Sequence, residues 1–320
     1  MESHELRVVT VTLNPALDLT GSLNQLNVGS VSLVDHSSLH PAGKGVNVAK
    51  VLADLGANVT VTGILGEDNQ EPFCHLFSEN NITDAFIRVE GASRINVKLV
   101  EPNGQVSDIN FPGVTVSELD RVAFETQLFA LADTHDFFVI AGSLPRGVTP
   151  EHCAAWISEL NKRNKKVIFD SSKAALYAGI DAVPWLVKPN DEELADWAGK
   201  AIEDRDELLS VAEAISKKGI TNVVVSLGAQ GVLWLQDNNW LQSVPPKMKI
   251  VSTVGAGDTL VAGMCWGALQ QWDRTKTLRF ATALSAQAVA QIGVGVESLE
   301  TIVKMADLIE VSSVQVEGNS

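Results

Sequence analysis

The sequence predicts a doubly wound α/β fold on a mainly parallel sheet, with a small β-sheet set apart from it as a lid. Three observations carry that expectation. Short apolar, β-branched runs recur at Val8 to Leu13, Val59 to Leu65, Phe137 to Ile140, Val167 to Phe169, Trp185 to Val187 and Val223 to Val225, and helical patterns alternate with them. Polar clusters follow several runs directly: Gly142-Ser143, Asp170-Ser171-Ser172, Lys188-Pro189-Asn190 and Ser226-Leu227-Gly228. If the runs are parallel strands, those clusters share the carboxyl edge of the sheet, where open α/β folds bind ligands. Two stretches, 17–39 and 93–111, break the rhythm and read as strands without intervening helices.

After the first run and the first strand-rich stretch, Val48, Val51, Leu52 and Leu55 recur at i, i+3, i+4 and i+7, and Gly56 follows as a stop. The segment Gly43-Lys44-Gly45-Val46-Asn47 therefore sits at a helix N-terminus. It is not a Walker-type P-loop, because Gly45 stands where a Ser or Thr would ligate magnesium and Ser38 stands at the leading glycine position. No GxGxxG opens a first βα unit, which argues against a dinucleotide-dependent dehydrogenase. In the second strand-rich stretch, Pro102-Asn103-Gly104 reads as a hairpin turn. Arg94, Asn96 and Lys98 fall on one strand face and Ile95, Val97 and Leu99 on the other. The polar face is either an anion grip or an ordinary solvated surface. Such a lid could exclude water from a phosphoryl donor, and its open edges make pairing with a second copy physically sensible.

Further on, Ser252-Thr253-Val254-Gly255-Ala256-Gly257-Asp258-Thr259 is a glycine-punctuated turn that runs into the apolar helical stretch Leu260 to Leu269. Free N–H groups and the positive dipole end make such a turn an anion site. A carboxylate planted there repels a bound phosphate. Asp258 is therefore easier to explain as a base for an attacking hydroxyl than as a helix cap, which is the competing explanation.

Length and composition fit one domain over 1–320 with an appendage: 320 residues, 45% hydrophobic and 20% charged. No run is apolar for long enough to span a bilayer, and the polar opening Met1-Glu2-Ser3-His4-Glu5 argues against a signal peptide, so the cytoplasm is expected. Cys74, Cys153 and Cys265 lack disulfide or zinc spacing and read as buried thiols. A net charge of −15 argues against nucleic-acid or anionic-membrane partners. It also repels phosphorylated substrates, so a local basic cluster would have to be drawn from Lys44, Arg94, Lys98 and Lys188.

Four segments in order, Thr12 to Asp18, Ala42 to Ala49, Asn190-Asp191-Glu192-Glu193 and Val254 to Asp258, resemble the ribokinase-like (phosphofructokinase B) family of sugar kinases, and the match runs nearly the whole chain. Ser93 to Leu99, Gly142 to Pro145 and Trp185 to Asn190 look most like its phosphosugar branch. The resemblance implies ATP-dependent phosphorylation of D-fructose 1-phosphate at its C6 hydroxyl. It implies Asp258 as base, and Gly255, Ala256 and Gly257 as the anion hole. It further implies sugar contacts from Asp18, Gly43, Lys44, Gly45 and Asn47, and a phosphate contact from Arg94 supported by Asn96, Lys98 and Ser143. Lys188, Asn190, Ser226, Gly228, Gly231 and Thr253 would line the nucleotide, and Asn190 and Glu193 would act on Mg2+ mostly through water. By themselves, Asn190 and Glu193 read as a capping box, and Gly228 to Gly231 as a connection into Val232 to Leu235. Gly293 stands where related enzymes often carry an Asn near adenine. A lid-mediated homodimer is expected on the same resemblance. The rival substrates are tagatose 6-phosphate and fructose 6-phosphate, and the rival class is a non-catalytic sugar-phosphate sensor.

Overall fold

The computed structural model describes residues 6–314, so the opening Met1 to Glu5 segment lies outside it. Its centre is a sheet whose parallel part is, in spatial order, β12 (Asn222–Ser226), β11 (Leu186–Val187), β10 (Lys166–Asp170), β9 (Phe137–Ala141), β1 (Val8–Thr12), β4 (Val59–Gly66) and β5 (Thr83–Asp84). β6 (Ile87–Val89) also pairs with β4. On the far side of β12, the antiparallel strands β13 (Val232–Gln236), β14 (Asn239–Ser243) and β15 (Val311–Val314) extend the sheet. Each of the six apolar runs becomes a strand, and the four polar clusters follow β9, β10, β11 and β12 at one edge as expected.

The runs are continuous because both faces are covered. In β9, Phe137, Val139 and Ala141 join one core while Phe138 and Ile140 join the other, the period of two that a strand imposes. The first core lies under α1 (Lys44–Asp54), α2 (Glu71–Glu79), α8 (Ala256–Leu269), α9 (Arg274–Ala288) and α10 (Leu299–Leu308). The second lies under α3 (Glu118–Leu131), α4 (Pro150–Lys162), α5 (Lys173–Asp181), α6 (Asp191–Ala198) and α7 (Arg205–Ser216). Val48, Val51 and Leu52 of α1 are fully buried, and Gly56 follows with φ 91°, the left-handed geometry of a helix stop.

The lid is a separate four-stranded sheet in the order β3 (His36–Ala42), β2 (Ala16–Ser22), β7 (Arg94–Val100), β8 (Val106–Asn110). The expected 17–39 stretch is therefore only partly strand. Residues 23–35 form an irregular arm, turned at Gly29 with φ 84°, and the second strand runs on to Ala42. The Pro102 to Gly104 turn is present, closed by Gly104 N–H donating to Glu101 O at 2.9 Å. Cys153 and Cys265 are buried, and burial pushes the Cys153 thiol up to about 12. Cys74 is only half-buried, so the expectation of three buried thiols holds for two. No described helix is long and apolar enough to cross a membrane.

Candidate active site

The site is assembled where the carboxyl edge of the large sheet meets the N-termini of α1 and α8. Gly255 precedes α8 with φ 81°, a conformation open to glycine, and Val294 Cγ2 lies 2.5 Å from where its Cβ would be. Gly43 precedes α1 with φ 132° and would carry a Cβ 2.8 Å from Thr12 Cγ2. Neither helix has a side-chain cap, so first-turn N–H groups of both remain available to a ligand. Ala256 N–H reaches Thr253 O at 3.4 Å, which leaves Gly257 and Asp258 as the better donors.

Asp258 is buried in the first turn of α8 and does not cap it. Its Oδ2 instead accepts from Asn47 Nδ2 at 2.7 Å, across to α1. Burial and the neighbouring Asp170 carboxylate push its pKa up to about 6, against the Asn47 hydrogen bond and the lysines Lys44 and Lys188. A carboxylate so poised accepts a proton near neutrality.

Asp170, which sequence reasoning grouped at the strand edge without giving it a role, is the hub of this charge cluster. It is 1% exposed at the end of β10 and takes Lys44 Nζ at 3.3 Å and Lys188 Nζ at 3.4 Å. The signal available was an acid closing a run of buried apolar residues. Burial works against the Lys44 ammonium, but Asp170, Asp258 and Glu193 together hold its pKa above the ordinary lysine value. Lys188 approaches α8 closely enough that a Cβ on Gly257 would lie 3.7 Å from its Nζ. Two cations and a carboxylate thus converge on the helix turn expected to hold an anion.

Asn190 and Glu193 form the capping box of α6, with Glu193 N–H donating to Asn190 Oδ1 at 2.7 Å and Asn190 N–H donating to Glu193 Oε2 at 3.0 Å. Ser226 lies beside them, its N–H bonded to Pro189 O at 3.1 Å. Gly228 opens a single 3-10 turn, and Gly231 (φ 101°) leads into β13, so the connection read from sequence is present. Thr253 is exposed in the loop before α8. Gly293 is exposed with no atom within 4 Å of its would-be Cβ, while Val294 beside it packs on the anion turn.

In the lid, register determines what faces the site. Asp18 pairs with His40 on one side and Asn96 on the other, and the next polar rung joins Ser38, Thr20, Lys98 and Asp108. Asn96 Nδ2 donates to Asp18 Oδ1 at 3.0 Å, and Lys98 Nζ reaches Asp18 Oδ2 at 2.8 Å. Lys98 is therefore already paired before any substrate arrives. Its diagonal neighbour on the adjacent strand is an acid. Arg94 differs: it is partly buried, its pKa is lowered by that burial against the pull of Asp18, and its Nε donates to Asn14 O at 3.3 Å. Asn14, also without an assigned role at the sequence level, donates from Nδ2 to Ser143 Oγ at 3.2 Å and so links the lid base to the β9 edge. No direct contact joins Arg94 or Lys98 to Asp258 among the described residues.

A buried carboxylate in the uncapped first turn of a helix, with two lysines held beside it on a neighbouring acid, is an arrangement that fits a small-molecule kinase. A family model described as pfkB family carbohydrate kinase matches residues 11–302, and the chain belongs to that family. It is 61% identical to the 1-phosphofructokinase of Vibrio cholerae over 96% of this chain and 97% of that one. It is 47% identical to the 1-phosphofructokinase of Escherichia coli over 91% and 93% of the two chains. The crystal structure of phosphofructokinase-2 from Escherichia coli in complex with potassium matches with a TM-score of 0.88 at 30% identity, covering 95% of this chain and 99% of that one.

Proposed function

We infer that the protein transfers the γ-phosphoryl group of ATP to the C6 hydroxyl of D-fructose 1-phosphate, giving D-fructose 1,6-bisphosphate and ADP. The observation that carries the chemistry is Asp258, a buried carboxylate with a pKa of about 6 in the first turn of α8. The choice of sugar rests on relatives named 1-phosphofructokinase that match over nearly the whole chain.

In this reading the C6 hydroxyl gives its proton to Asp258 as its oxygen attacks the γ-phosphorus. The bond from that phosphorus to the β,γ-bridging oxygen breaks, and ADP leaves. N–H groups of the Gly255-Ala256-Gly257 turn, with Lys44 and Lys188, stabilise the negative charge on the transferring group. Asn47 orients the base through its amide N–H and keeps its own carbonyl for a sugar hydroxyl. Asp18, Asn96 and the backbone at Gly43 to Gly45 take other hydroxyls. Arg94, with Ser143 and Lys98 nearby, takes the 1-phosphate, an anion that its planar fork suits. Asn190, Ser226, Gly228, Gly231 and Thr253 line the nucleotide with Lys188. Mg2+ would neutralise phosphate charge. Asn190 and Glu193 would act on that ion mostly through water, as a hard, strongly hydrated cation prefers.

The lid also supports a homodimer. Its face opposite Asp18 carries the rung Leu39, Leu19, Val97, Ile109, with Leu39 45% and Ile109 47% exposed, beside Ile95 and Phe111. An apolar sheet face of that kind is covered most simply by a second copy.

The test is ADP release from MgATP with fructose 1-phosphate, fructose 6-phosphate, tagatose 6-phosphate and fructose supplied separately. The highest kcat/KM is expected with fructose 1-phosphate. Preference for a 6-phosphate would change the substrate, and no turnover with any of the four would remove the kinase reading.

A further inference from the structure

Away from the catalytic crevice, the start of α9 and the end of α10 line a half-open cavity of about 460 Å³. One wall is aromatic: Trp272 and Phe280 meet edge to face with ring centroids 5.2 Å apart. Two cations, Lys276 and Arg279, lie three residues apart on α9 and line the same space. The Lys276 ammonium stands 4.1 Å from the centroid of the Trp272 ring. Arg279 Nε is buried without an acceptor, and neither side chain makes an ion pair among the described residues. In a chain with net charge −15, these two adjacent cations form no ion pair even with Asp273 and Asp307, which line the same cavity. Most arginines here do find partners: Arg88 takes Asp84 and Arg121 takes Glu125, while Arg274, whose Nε is likewise buried without an acceptor, gives another nitrogen to the carbonyls of Trp234 and Asn239.

The terminal N–H donors of Arg279, which no protein acceptor takes among the described residues, are available to an anion entering the cavity. Two carboxylates qualify the choice of anion. Asp273 is committed to capping α9, its Oδ1 accepting from Lys276 N–H at 2.9 Å, while Asp307 lies exposed on the α10 wall. Those acids disfavour polyphosphates and leave room for a single negative charge. The aromatic wall and Val303 favour a flat or branched apolar body. We propose that this cavity is a second small-molecule site, taking an amphipathic monoanion such as an aromatic carboxylate, with Arg279 and Lys276 holding the charge and Trp272 and Phe280 the apolar body. It is independent of the catalytic reading. It adjoins the far end of α8, since Trp272 N–H closes on Gly267 O at 2.9 Å, and Asp258 lies eleven helical residues from that end at Leu269, about 16 Å at 1.5 Å per residue.

The probe is 8-anilinonaphthalene-1-sulfonate, an aromatic monoanion whose fluorescence rises on entering an apolar site. It is titrated into the full chain with ADP and fructose 1,6-bisphosphate present to occupy the crevice. One molecule per chain is expected to bind. Arg279→Gln is expected to weaken it tenfold or more, as loss of a charge-assisted hydrogen bond should, and Arg279→Lys less than threefold. N-phenyl-1-naphthylamine, which lacks the sulfonate, should bind both variants and the parent alike. Indole-3-acetate should displace the probe at lower concentration than phenyl phosphate. Thermal unfolding of Arg279→Gln, expected to match the parent, separates loss of the site from loss of the fold. Should Arg279→Gln prove unstable, Arg279→Lys and the displacement series decide the matter on folded protein. Unchanged probe affinity in Arg279→Gln, equal weakening of the neutral compound, or stronger displacement by phenyl phosphate would each overturn the proposal.

Discussion

Asn47 donates from its side-chain amide to the carboxylate of Asp258 across 2.7 Å, tying together the first turns of two helices that lie 211 residues apart in the chain. The contact points the proposed base at the gap between the two helix N-termini, where sugar and γ-phosphate would meet. It also holds the carboxylate's pKa lower than burial alone would leave it. Asp258→Asn is expected to lower kcat by roughly two to four orders of magnitude, the usual loss of a general base, with Kd values for ATP and sugar phosphate changed little. Single-turnover kinetics and calorimetric titration of the variant measure both.

The pH profile follows from the same residue. With Asp258 titrating at about 6, kcat/KM should fall about tenfold per unit below that pH and level off above it. Asn47→Ala removes the hydrogen bond that favours the ionised form, so the acid limb should move to higher pH. An unchanged limb would show that another group sets it.

Stability should move in the opposite sense. A carboxyl whose folded pKa lies above its unfolded value of 3.8 binds its proton more tightly in the folded state, so folding is penalised once pH rises through that window. Asp258→Asn removes the penalty. Its urea unfolding free energy should match the parent at pH 4 and exceed it by about 2–3 kcal/mol at pH 7, since each pKa unit is worth about 1.4 kcal/mol.

Gly255→Ala tests the anion turn. Its φ of 81° costs a residue with a Cβ about 1–2 kcal/mol, and the new methyl also meets Val294. A lower Tm together with a kcat loss of about tenfold or more is expected. Normal turnover in the folded variant would release the turn from its proposed role.

Arg94→Ala should reduce kcat/KM for fructose 1-phosphate by about 10- to 100-fold, the worth of a charge-assisted pair, while leaving turnover of unphosphorylated fructose nearly unchanged. Lys98→Ala should lower kcat/KM for both sugars, and more for fructose 1-phosphate, because Lys98 holds Asp18 in place and also stands near the 1-phosphate.

The lid dimer predicts that Leu39→Asp combined with Ile109→Asp halves the mass seen by light scattering. An unchanged mass would move the interface elsewhere.

Much of this molecule was legible in the sequence because the information is local. A period of two that divides Phe137 to Ala141 between two cores, the i, i+3, i+4 spacing of Val48, Val51 and Leu52, and a glycine before each site helix are properties of a few consecutive residues. They located the strands, the helix starts and the edge where the polar clusters gather. The 23–35 arm escaped that reading because β-branched residues such as Val28 and Val31 signal a strand only where a neighbour pairs with them, and here they stand 95% and 86% exposed.

Local pattern thus accounts for the layered α/β fold, the uncapped glycine turn at Gly255 to Asp258 and the family. Only the tertiary structure decided that Asp170 joins Lys44 to Lys188, that Asp18 takes Lys98, and that Asn47 orients Asp258. Those partners are set by strand order and register, which bring together segments from 18 (Asp170 and Lys188) to 211 residues apart, and no pattern within a short window encodes which distant charge will face which.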